Sequence, residues 1–228
     1  MKKKQFVVIG LGTFGYNVAC ELVKKGIQVL AIDNKEEIVN TISQFVTQAV
    51  IADAGDEKAM QEAGIADCDT AIISIGEIEP SILAILIAKE LGIKNIIVKC
   101  INLWHSKVAV KLGASRVIYP EFEMAKKLVN GIVSPNILEH IELSKDYNLV
   151  EIIAPKQYWQ KAIKDTNIRN TFKVNIIAVR SRIPFITDDG QNDIKEEINM
   201  VPEPDYEIKQ NDVLVVIGPI ESLEKLKV

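Results

Sequence analysis

Residues 5–33 read QFVVIGLGTFGYNVACELVKKGIQVLAID, and the order of residue types in them decides the fold. Residues 5–9 are a short, β-branched apolar run that stops at Gly10; residues 14–25 then carry apolar side chains at helical spacing until Gly26. A second apolar run, 28–32, ends at Asp33. Between strand and helix lies Gly10-Leu11-Gly12-Thr13-Phe14-Gly15, a G-x-G-x-x-G, and Asp33 follows Gly10 by 23 positions. Each glycine serves a separate mechanical purpose. Gly10 permits the tight turn, Gly12 lets backbone approach a pyrophosphate, and Gly15 lets the helix close on the strand. The amides of Thr13, Phe14 and Gly15 would bind phosphate oxygens at the positive end of the helix dipole. Asp33, followed by Asn34, would accept from ribose hydroxyls and repel a 2′-phosphate, which disfavours NADP relative to NAD, ADP or ATP.

The same alternation continues outward. Strands are expected at 47–52, 70–75, 95–99 and 116–119, and helices at 36–44, 57–64, 80–91 and 103–112. Six strands separated by helices predict a Rossmann-like α/β fold, a doubly wound parallel sheet covered on both faces. Strands such as AIISI are apolar throughout, as doubly covered strands should be. Further ligand contacts belong at the carboxyl edge of such a sheet. Asp53 and Ala54 are placed to flank an adenine, Ile75, Gly76 and Glu77 to bring backbone near the phosphates, and Lys99 either to reach phosphate or to end its strand in solvent.

After Pro120 the rhythm changes. A helix is expected over 121–133, a short second one from Pro135, a polar stretch at 144–148 and a strand at 149–154. A helix over 159–165, strands at 175–180 and 213–217, turn-rich residues 187–191 and a closing helix from near Glu221 complete a smaller α+β domain. The boundary is placed between residues 140 and 141. At about 150 residues per domain, 228 residues suit one full domain and a smaller one.

With 27 basic and 31 acidic side chains the net charge is −4, and the two lobes carry about −1 and −3, so neither offers the basic face that nucleic acids need. No apolar run approaches the ~20 residues that span a bilayer, and the basic start lacks a cleavage site, so a cytoplasmic protein is expected. Three widely spaced cysteines, Cys20, Cys68 and Cys100, form neither a disulfide framework nor a zinc site; they read as buried hydrophobes, with a redox-sensing scaffold as the alternative. Hydride transfer needs an acid. No tyrosine begins a Tyr-x-x-x-Lys, and His105 is the candidate beyond the fifth strand, against a reading as a solvated or interface histidine. There is also no Gly-Lys-Ser/Thr for triphosphate hydrolysis. A nucleotide site without such machinery reads as a sensor, with an NAD-dependent oxidoreductase as the alternative.

The chain resembles the cytosolic RCK (KTN plus TrkA-C) regulatory subunits of Ktr and Trk potassium transporters, most closely the KtrA type. The resemblance is carried by FVVIGLGTFG, VLAIDNKEEIV, AVIADAGDE, AIISIGEIEPSILAILIAKELGI and IIVKCINLWHSKVAVKLGASRVIYPE in the first lobe. The linking MAKKLVNGIVSPNILEHIELSKDYNLVEI, then DTNIRNTFKVNIIAVR and NDVLVVIGP, extend it through the second. It implies a non-enzymatic subunit whose homodimers assemble into an octameric ring under a membrane ion-translocating partner. ATP or ADP, or NAD or NADH in some relatives, would change the ring's shape. It also implies that Glu121 joins a divalent cation, Mg²⁺ or Ca²⁺, although a helix-start carboxylate is the plainer account. Where relatives commonly carry arginine after the second glycine, this chain has Thr13, which implies weaker discrimination of ATP from ADP. In the second lobe, Ile168, Arg169, Asn175 and Ile176 match positions at which family members hold c-di-AMP, against a surface arginine and a strand-start asparagine.

Overall fold

The computed structural model describes residues 4–133, 137–186 and 192–226. The first sheet contains β1 (Gln5–Ile9), β2 (Gln28–Asp33), β3 (Gln48–Ile51), β4 (Thr70–Ile73), β5 (Asn95–Lys99) and β6 (Arg116–Ile118). They lie in the order β3-β2-β1-β4-β5-β6, and every pairing is parallel. Between them run α1 (Thr13–Lys24), α2 (Glu36–Ile42), α3 (Glu57–Glu62), α4 (Ile78–Glu90) and α5 (Leu103–Leu112), and α6 (Pro120–Val133) follows β6. The chain moves from β1 toward β3 and then returns to β1's other side at β4. That reversal opens a crevice at the carboxyl ends of β1 and β4, where ligands bind in such sheets.

Alternate strand residues point to opposite faces, and each face has its own core. Val7, Ile9, Leu30, Ile32 and Ile73 pack into one cluster, and their neighbours Val8, Val29, Ala31 and Ile72 into the other. This double covering is why the strands carry no polar alternation. Helix ends follow local chemistry: Asp56 Oδ1 accepts from the Ala59 amide, Asn102 Oδ1 from the His105 amide, and Gly113 closes α5 with φ of 113°. The expected elements of this half are all present, with ends that differ by at most two residues. β4 stops at Ile73 rather than Ile75, and beyond it the Ser74 amide still donates to the Ile9 carbonyl of β1.

The second sheet is antiparallel: β7 (Ile137–Glu142), β8 (Tyr147–Ile153), β9 (Asn175–Ile186), β10 (Asn192–Asn199) and β11 (Val213–Pro219), in the order β10-β9-β11-β8-β7. With α7 (Ile168–Phe172) and α8 (Ile220–Lys225) it packs around Val150, Ile152, Val179, Ile208, Leu214 and Leu223. Three sequence expectations change here. Residues 134–136, including Pro135, lie outside the described residues, and 137–142, expected as the rest of a second short helix, are strand β7 paired with β8. The expected helix over 159–165 is absent: a 3₁₀ turn, Lys156–Tyr158, precedes that stretch, and a second, Ile163–Thr166, takes only its end. Between them Gln160 has φ of 61°, and the amides of Gln160 and Ile163 donate to Ile208 and Tyr206 instead of to helical carbonyls. β10, absent from the expectation, forms by pairing with β9. The turn-rich residues 187–191 lie outside the described residues. The chain divides into two compact units between Phe122 and Glu123, so the division expected after residue 140 instead cuts through β7.

Candidate functional site

The glycine loop is interlocked with the end of β4. Gly10 has φ of 87°, and its amide donates to the Ile32 carbonyl at 2.8 Å. The Ser74 hydroxyl donates to the Gly10 carbonyl at 2.7 Å. A Cβ on Gly15 would stand 2.0 Å from that same carbonyl oxygen and 2.4 Å from Ser74 Oγ, so only glycine fits. Gly12 is the opposite case: a Cβ there would meet nothing within 4 Å, and the space before it is open. The first helical bond of α1 runs from the Tyr16 amide to the Gly12 carbonyl at 2.9 Å. The amides of Thr13, Phe14 and Gly15 therefore precede the helical ladder, at the positive end of the dipole.

Asp33, at the end of β2, is joined to this loop. Its Oδ2 accepts from the Leu11 amide at 2.6 Å and its Oδ1 from the Lys35 amide at 2.9 Å. Each oxygen keeps a lone pair for a ribose hydroxyl. Loop and carboxylate border a cavity of about 410 Å³ that takes in Gly10, Gly12, Asp33 and Asn34. Asp53, Ala54, Ile75, Gly76 and Glu77 complete its wall, so nine expected site residues meet there. Asp53 Oδ1 accepts from the Gly55 amide at 2.9 Å, which turns the chain after β3. The wall also includes Lys35, Ile38, Ser74 and Pro80, which the sequence reading missed; a lone serine ending the apolar β4 was the available signal for Ser74.

Thr13, Phe14, Gly15 and Lys99 lie outside that lining. Lys99 ends β5, and its Nζ sits 2.5 Å from Glu121 Oε1 and 6.0 Å from the Phe14 ring centre. The ammonium holds the Glu121 carboxyl below its usual range. Among the described residues no group of three His, Cys, Asp or Glu side chains is arranged to hold a metal ion. His105 is 1% exposed, with Nε2 3.1 Å from Ser81 Oγ between α4 and α5, and burial pushes its pKa down. It is a packed histidine away from the cavity lining, a correction to its candidacy as a catalytic acid. Burial pushes the Cys68 thiol up to about 11 and raises that of Cys100, which suppresses the reactive thiolates.

The second unit has its own cavity of about 380 Å³, and Ile168, Arg169, Asn175 and Ile176 all lie on its wall. Lys164, whose ammonium pairs with Asp205, and Pro204 contribute to the same wall. A guanidinium and an ammonium beside an amide and two isoleucines suit a phosphate joined to a flat base.

A glycine loop at the switch point of a 3-2-1-4-5-6 sheet, with an acidic residue closing β2, defines a nucleotide-binding protein of the Rossmann class; a small antiparallel module follows it. Residues 6–120 match the TrkA-N domain and residues 149–227 the TrkA-C domain, and the chain belongs to the family built from these two domains. It is 37% identical over 226 residues to the Ktr system potassium uptake protein C of Bacillus subtilis, covering 99% of this chain and 96% of that one. Against the Ktr system potassium uptake protein A of Vibrio alginolyticus the identity is 33%, over 98% of this chain and 97% of the relative. Among solved structures, the GsuK RCK domain superposes with a TM-score of 0.54 at 19% identity, over 100% of this chain and 47% of that chain. The GsuK channel bound to NAD gives 0.55 at 19%, over 99% of this chain. This chain spans 38% of that channel's chain, and the likeness establishes the fold alone.

Proposed function

We propose that this chain is a nucleotide-sensing regulatory subunit of a potassium-uptake system, acting on a membrane ion-translocating partner from the cytoplasmic side. The observation that carries the reading is the cavity at the switch point, where Asp33 and the open face of Gly12 stand ready for a ribose and its phosphates. Full-length similarity to Ktr system potassium uptake proteins supplies the process. ATP and ADP, or NAD and NADH, fit this site; a 2′-phosphate would meet the Asp33 carboxylate. No helix among the described residues is long and apolar enough to cross a membrane, which leaves translocation to the partner.

The homodimers, which would assemble into an octameric ring, are supported by α6, which exposes Phe122, Leu128, Val129 and Ile132, an apolar stripe that suits a second copy. A divalent cation would use Glu121, and c-di-AMP the cavity beside Arg169 and Asn175. Neither His nor Tyr lines the first cavity, and the buried His105 is bonded elsewhere, which favours sensing over hydride transfer.

The test is a thermal-shift panel of ATP, ADP, NADH, NADPH and c-di-AMP, with and without Mg²⁺ or Ca²⁺, since a ligand of the folded state raises apparent stability with concentration over Kd. ATP, ADP or NADH should stabilise the protein more than NADPH does. Turnover of NADH with carbonyl substrates would defeat the sensor reading, and dominance by NADPH would overturn the role given to Asp33.

A further inference from the structure

We infer that the buried pair of Ser81 and His105 couples the nucleotide cavity to the exposed corner formed by Leu103 and Trp104 at the start of α5, so that filling the cavity moves that corner. The inference rests on the nucleotide reading above and adds an output to it. The input is the first turn of α4. Gly76, Glu77 and Pro80 stand in the cavity wall, and the Ser81 amide donates to the Glu77 carbonyl at 3.3 Å. A ligand that shifts this turn shifts Ser81 with it. The contact with α5 is smooth except at one point. Ser81, Ala84 and Ala88 follow one stripe of α4, His105 and Ala109 one stripe of α5, and all five are at most 1% exposed. Small side chains let packed helices slide, and such shear is a common mode of conformational change. Among the described residues the 3.1 Å contact of His105 Nε2 with Ser81 Oγ is the one hydrogen bond between α4 and α5. It acts as a peg in a sliding surface.

The other ring nitrogen passes the motion on. Nδ1 accepts from the Ile101 amide at 3.4 Å, which puts the ring proton on Nε2 and makes Ser81 the acceptor. Asn102 Oδ1 caps the same turn by accepting from the His105 amide at 2.8 Å. One rigid ring therefore holds α4 by one nitrogen and the entry to α5 by the other. Beside it Leu103 is 70% and Trp104 74% exposed, with the Lys107 ammonium 4.6 Å from the Trp104 ring centre. Side chains so exposed have little packing to restrain them, and they follow the turn that carries them.

The test is tryptophan fluorescence of the full chain, excited beyond the nucleotide absorption band and titrated with ATP, ADP and NAD, beside calorimetry of the same mixtures. Wild type should show a saturable change in emission that follows the calorimetric isotherm, and Trp104→Phe should lose that change although Trp159 remains. Ser81→Ala, His105→Phe, which keeps a ring without its nitrogens, and the double variant should each bind the nucleotide within about tenfold of wild type. All three should lose the emission change to the same extent, since each removes the one bond. A full response in Ser81→Ala or His105→Phe would overturn the coupling. Loss of nucleotide binding together with the response would overturn it too, because the pair would then belong to the scaffold of the cavity. Wild type decides without any buried substitution: nucleotide bound with no change at Trp104 removes this inference alone, and no nucleotide bound removes the reading beneath it as well.

Discussion

Alanine at Gly15 and alanine at Gly12 should fail in opposite ways, although the two positions are three residues apart in one loop. At Gly15 a methyl group would sit 2.0 Å from a backbone oxygen and 2.4 Å from Ser74 Oγ, and a carbonyl cannot swing aside as a side-chain tip can. Helix propensity alone would favour alanine there by about 1 kcal/mol. Overpacking of a rigid contact costs about 1–3 kcal/mol and sometimes more, and an overlap this deep lies at the upper end. The net expectation for Gly15→Ala is a loss of about 2 kcal/mol, which moves a urea midpoint down by about 1 M for an m-value near 2 kcal/mol/M. Gly12→Ala meets nothing within 4 Å, so only the weaker cap preference is lost, about 0.5 kcal/mol. Its methyl group instead occupies the opening that phosphate needs, and ATP affinity should fall at least tenfold. Urea unfolding followed by circular dichroism, paired with titration of ATP, reads both quantities. An unfolding midpoint for Gly15→Ala equal to or above wild type would refute the interlock; undiminished ATP binding by Gly12→Ala would refute the placement of the phosphates.

Four further outcomes are expected. Asp33→Asn should weaken ATP several-fold while raising the ratio of NADPH to NADH affinity, and a ratio that does not rise would remove the electrostatic role of Asp33. Thr13→Arg should increase the preference for ATP over ADP, because a guanidinium adds the charge threonine lacks; equal preferences before and after count against that account. His105 is held neutral by burial, so the unfolded chain takes up its proton at higher pH than the folded one. Stability attributable to it is complete above about pH 6.5 and declines as pH falls toward the lowered folded value. The urea midpoint should follow, and His105→Gln should flatten that slope. In the second unit, Arg169→Ala should reduce c-di-AMP binding by the full chain at least tenfold while leaving ATP binding intact, and the reverse pattern would dissociate that cavity from the ligand.

The first half was legible because doubly covered parallel strands announce themselves as unbroken apolar runs, and because glycines that no other residue can replace leave a spaced signature. The second half was less so for specific reasons. β10, NDIKEEIN, carries the side chains of a solvated loop and is strand only because β9 offers it a ladder. Residues 159–165 have helical spacing, yet Trp159 Nε1 donates to the Ala154 carbonyl and the next amides are taken by the chain near Tyr206 and Ile208. Tertiary hydrogen bonds overrode local pattern there. In the site, residues that act through the backbone of the loop could be placed from spacing, while Ser74 and the Lys99–Glu121 pair depend on contacts 64 and 22 positions apart, which no local window contains.

The bond from the Leu11 amide to Asp33 has a consequence for timing. Because that carboxylate is already fixed at both oxygens, an arriving nucleotide finds its ribose acceptor in place and no ordering step precedes docking. Related ligands then arrive at similar rates, and they differ in how long they stay. The speed with which such a protein follows a changing nucleotide pool is set by departure from Asp33, and a tighter site would be a slower one.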